Sequence, residues 1–461
     1  MTPIAGQAIV TAAEMRAAEE RAIAAGTSVE ALMDRAGRGV ADWVRRLASG
    51  HSVLVLCGPG NNGGDGYVAA AALAAAGTPV RVAATGAPAT PAARRARAGW
   101  TGAVEDIAHA EAAAVIVDAL FGTGLSRPLD AALTARLCAL AEAARLAVAV
   151  DFPSGIATDD GAVLSKVPAF DVTLALGAVK PAHLLQPAAR FCGVLRVIDL
   201  GLDIRSDVEV VGKPVIPDPD PQSHKYNRGM VAVVGGPMRG AALLAATAAM
   251  RAGAGYVERL GNFDSGGPCS LVDRKFDGQT LGDERIGALL IGPGLGRDDD
   301  ARDKLDRVLA TEHPLVIDGD ALHLLKDRLD RLRSRKAPAI LTPHAGEFAA
   351  LFGEGAGSKI DRARGAAAEA GAVVVFKGAD TVIAAPGGRA RVAGEASAWL
   401  STAGTGDVLA GAIAAMLAAK LDPLEAAAAG VWLHGEAARR LGAAFIADDL
   451  ANALGAVRAS A

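Results

Sequence analysis

Short apolar runs alternate with helix-favouring stretches along most of this chain, and the alternation breaks once. Residues 51–57 read as a buried strand ending in Gly58-Pro59-Gly60-Asn61-Asn62-Gly63-Gly64-Asp65-Gly66, read as a loop, and a helix pattern covers 67–76. Further strand patterns fall at 79–84, 114–118, 146–151, 172–176 and 194–200. Strands of this kind separated by helices build a parallel sheet covered on both faces. The break lies at 206–223, where Pro214, Pro217, Pro219 and Pro221 are interleaved with Asp218 and Asp220. Proline fixes φ and removes a donor, so this is neither helix nor central strand, and it reads as a linker. A second series follows, with strands at 230–235, 288–292, 314–318, 339–342 and 372–377 and helices at 240–252, 406–420 and 424–441. The two series share no residue-level repeat. The expected organisation is one α/β domain over 1–205, the linker 206–223, and a different α/β domain over 224–461.

The 461 residues are too many for one ordinary core, which agrees with two domains. Hydrophobic residues make up 51% and charged residues 21%, so a folded protein is expected. The net charge of -4 lacks the basic balance that nucleic-acid binding usually needs. Cys57, Cys138, Cys192 and Cys269 are far apart with no CxxC pair, which favours buried free thiols in a reducing compartment over a zinc cage or a disulfide framework. The N-terminus has no signal-peptide pattern, and the apolar stretch 408–419 is short of the ~20 residues that span a bilayer. The expectation is a cytoplasmic enzyme acting on small molecules, with no nucleic-acid or membrane partner. Thr11 with Glu14, and Thr27 with Glu30, have capping-box spacing at the start of helices.

In open α/β sheets ligands bind beyond the carboxyl ends of the strands. Three unusual segments of the first series sit there: the Asn61 to Gly66 loop, Asp118-Ala119-Leu120-Phe121-Gly122-Thr123-Gly124, and Asp151-Phe152-Pro153-Ser154-Gly155. Glycines let backbone N–H groups approach a phosphate, and a helix N-terminus favours its charge. Carboxylate, amide and hydroxyl oxygens together suit a hard cation. Singly, each segment could be plain turn or capping chemistry; a Walker A motif is absent. These three segments together resemble the YjeF N-terminal, or NAD(P)H-hydrate epimerase, family over about residues 11–202. The resemblance implies a Rossmann-like three-layer α/β/α domain. It also implies that Asn61, Asn62, Gly63, Gly64, Asp65 and Gly122, Thr123, Gly124, Leu125, Ser126, Arg127, Pro128 line the substrate. Asn62, Asp118 and Ser154 would bind K+, and Asp151 would give acid–base help at C6 of the hydrated ring, where the hydroxyl stereochemistry changes. Lys180 follows another strand; ligand contact, phosphate neutralisation and a surface position are all open to it.

The second series carries Thr402-Ala403-Gly404-Thr405-Gly406-Asp407 at the mouth of a long helix, where unpaired N–H groups can receive developing negative charge. Asp407 could act as a base toward a hydroxyl or simply cap the helix. Gly292-Pro293-Gly294-Leu295-Gly296, Thr342-Pro343-His344 and Lys377-Gly378 fall at other strand ends. With His224-Lys225, Asp318-Gly319-Asp320-Ala321-Leu322 and Met250-Arg251-Ala252-Gly253-Ala254-Gly255, this set resembles the ribokinase-like ADP/ATP-dependent NAD(P)H-hydrate dehydratase family over about 224–458. That implies contacts of Ala241, Gly294, Gly296, His344 and Asp407 with the hydrate. Lys377, Gly378, Ala379, Asp380, Thr381 and Gly406 would hold ADP or ATP with Mg2+. Two departures stand out: Gly319 replaces an alanine usual in that family, and Glu395 to Ser401 replaces a segment that usually holds asparagine and glycine. Residues 261–278 match no expected pattern and read as a lid or a variable loop.

The implied protein repairs hydrated nicotinamide cofactors: one domain epimerises (R)- and (S)-NAD(P)HX, and the other dehydrates the S form. Its ligand sites are open enough to expect a homo-oligomer. A ribokinase-type small-molecule kinase is the alternative, and a binding scaffold with lost chemistry is a third. The first domain has no use in a kinase, and intact Asn62, Asp118 and Asp151 argue against a scaffold.

Overall fold

The computed structural model describes residues 4–263, 266–394 and 396–461. They cluster into two compact units, Met1–Val210 and Val211–Ala461.

In the first unit, α1 (Ala12–Ala24) opens with the expected capping box: the Thr11 hydroxyl accepts from Glu14 N–H, and the Glu14 carboxylate accepts from Thr11 N–H at 2.7 Å. The next cap is one residue later than expected. Ser28 caps α2 (Val29–Ala48), accepting from Ala31 N–H, and Thr27 does not. Seating the stripe Leu32, Met33, Ala36, Val40 and Val44 in the core fixes where that helix begins. The strands are β1 (Val53–Cys57), β2 (Val80–Ala84), β3 (Val104–Asp106), β4 (Val115–Ala119), β5 (Leu146–Val150), β6 (Val172–Leu176) and β7 (Val194–Ile198); their order is β3-β2-β1-β4-β5-β6-β7, all parallel. Alternate residues of β1 enter two cores. Val53 and Val55 pack with Val40 and Val44 of α2, while Leu54 and Leu56 pack with Leu137 and Leu140 of α5 (Ala131–Ala143). A sheet buried on both sides between helices is the expected three-layer arrangement. Chain order reverses between β1 and β4, which opens the ligand crevice there. β8 (Val208–Val210) lies within the expected linker and bridges Ala8 through Glu209.

The loop after β1 is a helix start. α3 runs Asn61–Ala75, so Asn61 to Gly66 form its first turns. The glycines are required by packing. A Cβ on Gly63 would lie 1.9 Å from the Gly58 carbonyl oxygen, and one on Gly66 would lie 2.7 Å from Ala119 Cβ. α4 (Pro91–Gly99) completes this side of the unit.

The second unit has β9 (Met230–Val234), β10 (Tyr256–Leu260), β11 (Val272–Arg274), β12 (Ala288–Ile291), β13 (Leu315–Ile317), β14 (Ala339–Leu341), β15 (Val373–Phe376), β16 (Thr381–Ala384) and β17 (Ala390–Ala393). The order is β11-β10-β9-β12-β13-β14-β15-β16-β17, parallel as far as β15 and antiparallel beyond it. One face packs on α6 (Arg239–Arg251), α13 (Thr405–Ala418), α14 (Pro423–Leu441) and α15 (Ala447–Arg458). α13 is buried almost throughout after its first turn, which explains its unbroken run of small and apolar residues. α7 (Gly278–Leu281), α8 (Asp299–Leu309), α9 (Gly319–Leu325), α10 (Leu329–Arg333), α11 (Ala345–Phe352) and α12 (Lys359–Ala370) are the remaining α-helices among the described residues.

Cys57, Cys138 and Cys192 are buried free thiols, but Cys269 is exposed. The stretch 261–278 contains β11; its Asp264 and Ser265, like Glu395, lie outside the described residues. Among the described residues no helix is long and apolar enough to cross a membrane.

Candidate active sites

In the first unit, pairing of Leu56 with Asp118 and of Asp118 with Ala149 sets Asp118 one residue before the end of β4. It is fully buried. Its Oδ1 accepts from Leu120 N–H at 3.1 Å and from the Ser154 hydroxyl at 2.8 Å, and its Oδ2 accepts from Ser154 N–H at 2.8 Å. Burial pushes its carboxyl up to about 6, the three donors holding it from going higher. Asn62 stands nearby: its Oδ1 and Asp151 Oδ2 each lie 3.0 Å from the position a Cβ on Gly122 would take, so only glycine fits between them. Asn62 Nδ2 is buried without a hydrogen-bond partner.

Asp151 is the first residue beyond β5 and holds a left-handed φ of 64°, rare for a non-glycine residue. Its Oδ2 accepts from Thr123 N–H at 2.9 Å and from the Thr123 hydroxyl. Its Oδ1 pairs with Lys180 Nζ at 2.5 Å, both side chains almost wholly buried, and Lys180 also donates to the Leu176 carbonyl. Burial alone would raise Asp151, but the Lys180 ammonium, with the donated hydrogen bonds, brings it down to about 2. The surface position open to Lys180 is therefore ruled out. His183 Nδ1 accepts from Lys180 N–H, which leaves Nε2–H to donate to the Asp151 carbonyl at 2.7 Å. Its ring stacks on Phe152, and burial lowers it to about 4, so it is neutral. Burial drives Asp65 well above the usual carboxyl range, and the charges of Asp151 and Glu19 push the same way. Of the other expected lining residues, Gly63 and Gly64 are buried in α3 and Asn61 is bonded to Thr90; Gly124, Ser126, Arg127 and Pro128 are exposed, with Leu125 half-buried among them.

In the second unit, Gly404 is left-handed at φ 89° and turns the chain into α13, with Asp407 in the first turn. A Cβ on Gly404 would meet Leu244 Cδ1 at 2.7 Å and Ala447 Cβ at 3.0 Å, and one on Gly406 would lie 3.5 Å from Lys377 Nζ. Lys377 pairs with Asp318 Oδ1 at 2.8 Å, and the Thr342 hydroxyl donates to the same oxygen at 2.6 Å. Burial raises Asp407 to about 6; the charge of Asp318 adds to this and that of Lys377 opposes it. His434 donates from Nε2 to the Thr405 carbonyl at 2.9 Å, holding the turn from α14, and burial lowers it to about 4. Gly296 N–H donates to Asp320 Oδ2 at 3.0 Å, and a Cβ on Gly294 would lie 3.1 Å from Ala241 Cβ, so these expected contacts adjoin one another. His344 caps α11: its Nδ1 accepts from Gly346 and Glu347 N–H, and its ring is 60% exposed. The turn Lys377 to Thr381 is braced by Lys359, whose Nζ reaches both the Asp380 carboxylate at 2.5 Å and its carbonyl at 2.7 Å.

The sequence reading missed Lys359, His434 and the partnership of Lys180 with Asp151. Lys359 carried no signal, since its partner is 21 residues away and no motif joins them. Asp318, the first residue of the Asp318-Gly319-Asp320 motif, is the counter-ion of Lys377.

Residues 231–457 match the family model described as NAD(P)H-hydrate dehydratase, and residues 29–182 match the YjeF-related protein N-terminus. A bifunctional NAD(P)H-hydrate repair enzyme of Thermofilum pendens is 36% identical over 457 residues, covering 89% of this chain and 87% of the relative. One from Escherichia coli is 34% identical and covers 93% and 88%. Among solved structures, an ADP/ATP-dependent NAD(P)H-hydrate dehydratase from Bacillus subtilis co-crystallized with ATP/Mg2+ is 29% identical, covers 53% of this chain and 94% of that one, and has a TM-score of 0.45. A ribokinase-like superfamily protein from Enterococcus faecalis is 28% identical, with coverages of 53% and 92% and a TM-score of 0.48.

Proposed function

This chain belongs to the bifunctional NAD(P)H-hydrate repair enzyme family, and from that premise we propose how its two units divide the work. The first epimerises (R)- and (S)-NAD(P)HX at the Asp151–Lys180 pair. The second, ribokinase-like unit dehydrates (S)-NAD(P)HX at Asp407 with ADP or ATP. The observation that carries this reading is that each unit sets an aspartate and a lysine at the carboxyl edge of its sheet, where ligands bind: Asp151 buried and paired with Lys180, Asp407 half-buried in the field of Lys377.

Epimerisation requires the C6 hydroxyl to leave one face and return on the other. An Asp151 carboxylate held near 2 is a weak base, so its main role is to hold the Lys180 ammonium, which donates a proton to the departing oxygen. Asp65 and Asp151 are driven in opposite directions, the pattern of an acid and an ionised group sharing one site. Asn61 to Asp65 and Gly122 to Pro128 line the substrate in this reading. The donor set Asn62, Asp118 and Ser154 fits K+: all offer oxygens, and Asp118 is a buried carboxylate with no cationic partner among the described residues. K+ held there would supply positive charge beside the substrate and fix the loops that carry these oxygens.

In the second unit, Asp407 accepts the C6 hydroxyl proton as that oxygen attacks the terminal phosphorus of the nucleotide. The O–P bond forms, and the bond to the shortened nucleotide breaks. Ring-nitrogen electrons then expel phosphate from C6, and loss of a C5 proton restores the dihydropyridine. The Gly404 to Asp407 turn places α13 N–H groups where negative charge develops. Ala241, Gly294, Gly296 and His344 take the hydrate, while Lys377 to Thr381 and Gly406 take the nucleotide. Mg2+ carried by the nucleotide would find Asp318, Asp320 and Asp407 as oxygen ligands, the charges of the first two already acting on the third, and would offset the charge of the phosphates. Free thiols suit a cytoplasmic setting, and the open ligand edges suit a homo-oligomer.

The test is ultraviolet absorbance of mixed (R)- and (S)-NADHX after adding protein, K+, Mg2+ and ADP or ATP. Full recovery of the NADH band is expected. Recovery of the S fraction alone would remove the epimerase assignment, and none with either nucleotide would favour the small-molecule kinase.

A further inference from the structure

Large apolar side chains are normally withdrawn from water, and those that are not can mark binding surfaces. In the second unit the exposed ones are Val215, Met238, Trp399 and Ile446 among the described residues. Val215 lies in the proline-rich segment. The other three adjoin the candidate site. Met238 contacts the Gly294 turn, and Ile446 precedes Ala447, which touches Gly404. Trp399 is 50% exposed and sits in a single 3-10 turn, Ala398–Leu400.

That turn is tied at both ends to segments already assigned to the nucleotide. On one side Ala396 N–H donates to the Ala379 carbonyl at 3.0 Å, in the Lys377 to Thr381 turn. On the other, the Thr405 hydroxyl donates to the Leu400 carbonyl at 2.8 Å, one residue before Gly406. Ser401 and Ser397 close the turn on itself through the Ala398 carbonyl and Trp399 N–H. The indole is thus carried on a fixed backbone between two nucleotide-facing segments, yet half of it remains in solvent. A rigid aromatic face presented in this way suits a planar base, because stacking needs a flat surface and no directional partner. The hydrate is assigned elsewhere, to Ala241, Gly294, Gly296 and His344, the first three of which adjoin one another around Asp320.

We propose that Trp399 is the stacking platform for the adenine base of ADP or ATP. It sets nucleotide affinity without entering the chemistry. This rests on the reading that the nucleotide binds along Lys377 to Thr381 and Gly406.

The experiment uses the full chain with saturating (S)-NADHX and Mg2+. Trp399→Ala should raise KM for ADP by about 10–100-fold with kcat and the hydrate KM within about twofold, and Trp399→Phe should keep most of the affinity. Titrating ADP should quench tryptophan fluorescence in the parent, and Trp399→Phe should abolish that quench although Trp43, Trp100 and Trp432 remain. A raised hydrate KM with an unchanged ADP KM would overturn the proposal, as would a change of oligomeric state on substitution. Lys377→Ala separates the two readings. If it raises KM for ADP while Trp399→Ala does not, only the platform fails. If neither substitution moves KM, the nucleotide site itself is misplaced.

Discussion

Both units place an aspartate and a lysine at the carboxyl edge of a parallel sheet, yet the two aspartates have opposite proton affinities. Asp151 is sealed in and bonded directly to its lysine, which brings it down to about 2. Asp407 sits at a helix mouth, and its lysine is engaged by Asp318, so burial prevails and it rises to about 6. Which carboxylate holds the lysine decides whether the aspartate is a fixed counter-charge or a group that titrates near neutrality. A fixed pair suits a reversible change at one carbon, where a hydroxyl leaves and returns. A carboxylate near 6 suits removal of a hydroxyl proton.

The largest effect that would break this contrast is in the second unit. Asp407→Asn should lower the dehydration rate by about 10²–10⁴-fold, leaving epimerisation intact. Phosphate release and NADH absorbance measured together would show it. A rate within tenfold of the parent would reduce Asp407 to a helix cap.

Next in size is the first unit's pair. Lys180→Met strands the Asp151 charge in the interior and should destabilise that unit by about 3–5 kcal/mol, with loss of epimerisation. Asp151→Asn strands the ammonium in the same way, so its kinetics are informative only beside the double variant. Asp151→Asn with Lys180→Met should regain much of the stability and none of the activity. If either single variant keeps the parental melting temperature, the pair is more hydrated than the structure shows.

A smaller effect sharpens the comparison through pH. The dehydratase kcat/KM should fall on the acid side of about pH 6 as Asp407 takes up its proton. Lys377 opposes the rise of Asp407, so Lys377→Met should move that limb to higher pH. A limb that stays in place would mean that Asp318 fully screens Lys377.

Much of the two sheets was legible because buried parallel strands leave continuous apolar runs such as Val53 to Cys57. The three-residue edge strands β3 and β11 were not, since so short a strand owes its shape to a neighbour rather than to its own pattern, and neither were β10, whose apolar run is broken by Glu258 and Arg259, nor the antiparallel β16 and β17. The glycine segment after β1 was recognised but misread as a loop. Its glycines answer to Gly58 and Ala119, contacts that no local reading contains. Likewise Lys180 stood out at a strand end, but its burial depends on Asp151, 29 residues earlier.

The smallest expected effect concerns Asp118. Its ordinary carboxyl value of 3.8 is raised to about 6 in the fold, so the folded state binds the proton more tightly than the unfolded chain does. Stability linked to this group is therefore fully present at low pH and declines as pH rises from about 4 to about 6. At pH 7 the ionised carboxylate is a burden of about 1–3 kcal/mol that a bound cation would relieve. Asp118→Asn should accordingly leave the first unit as stable as the parent, or more so, in buffers of a bulky organic cation. The parent should gain melting temperature when K+ is added, and the variant should not. A parent that ignores K+ would separate Asp118 from any cation, leaving its three hydrogen bonds as its whole role. A variant that still responds would move the cation to other oxygens, with Asn62 and the loop carbonyls next to it the first to examine.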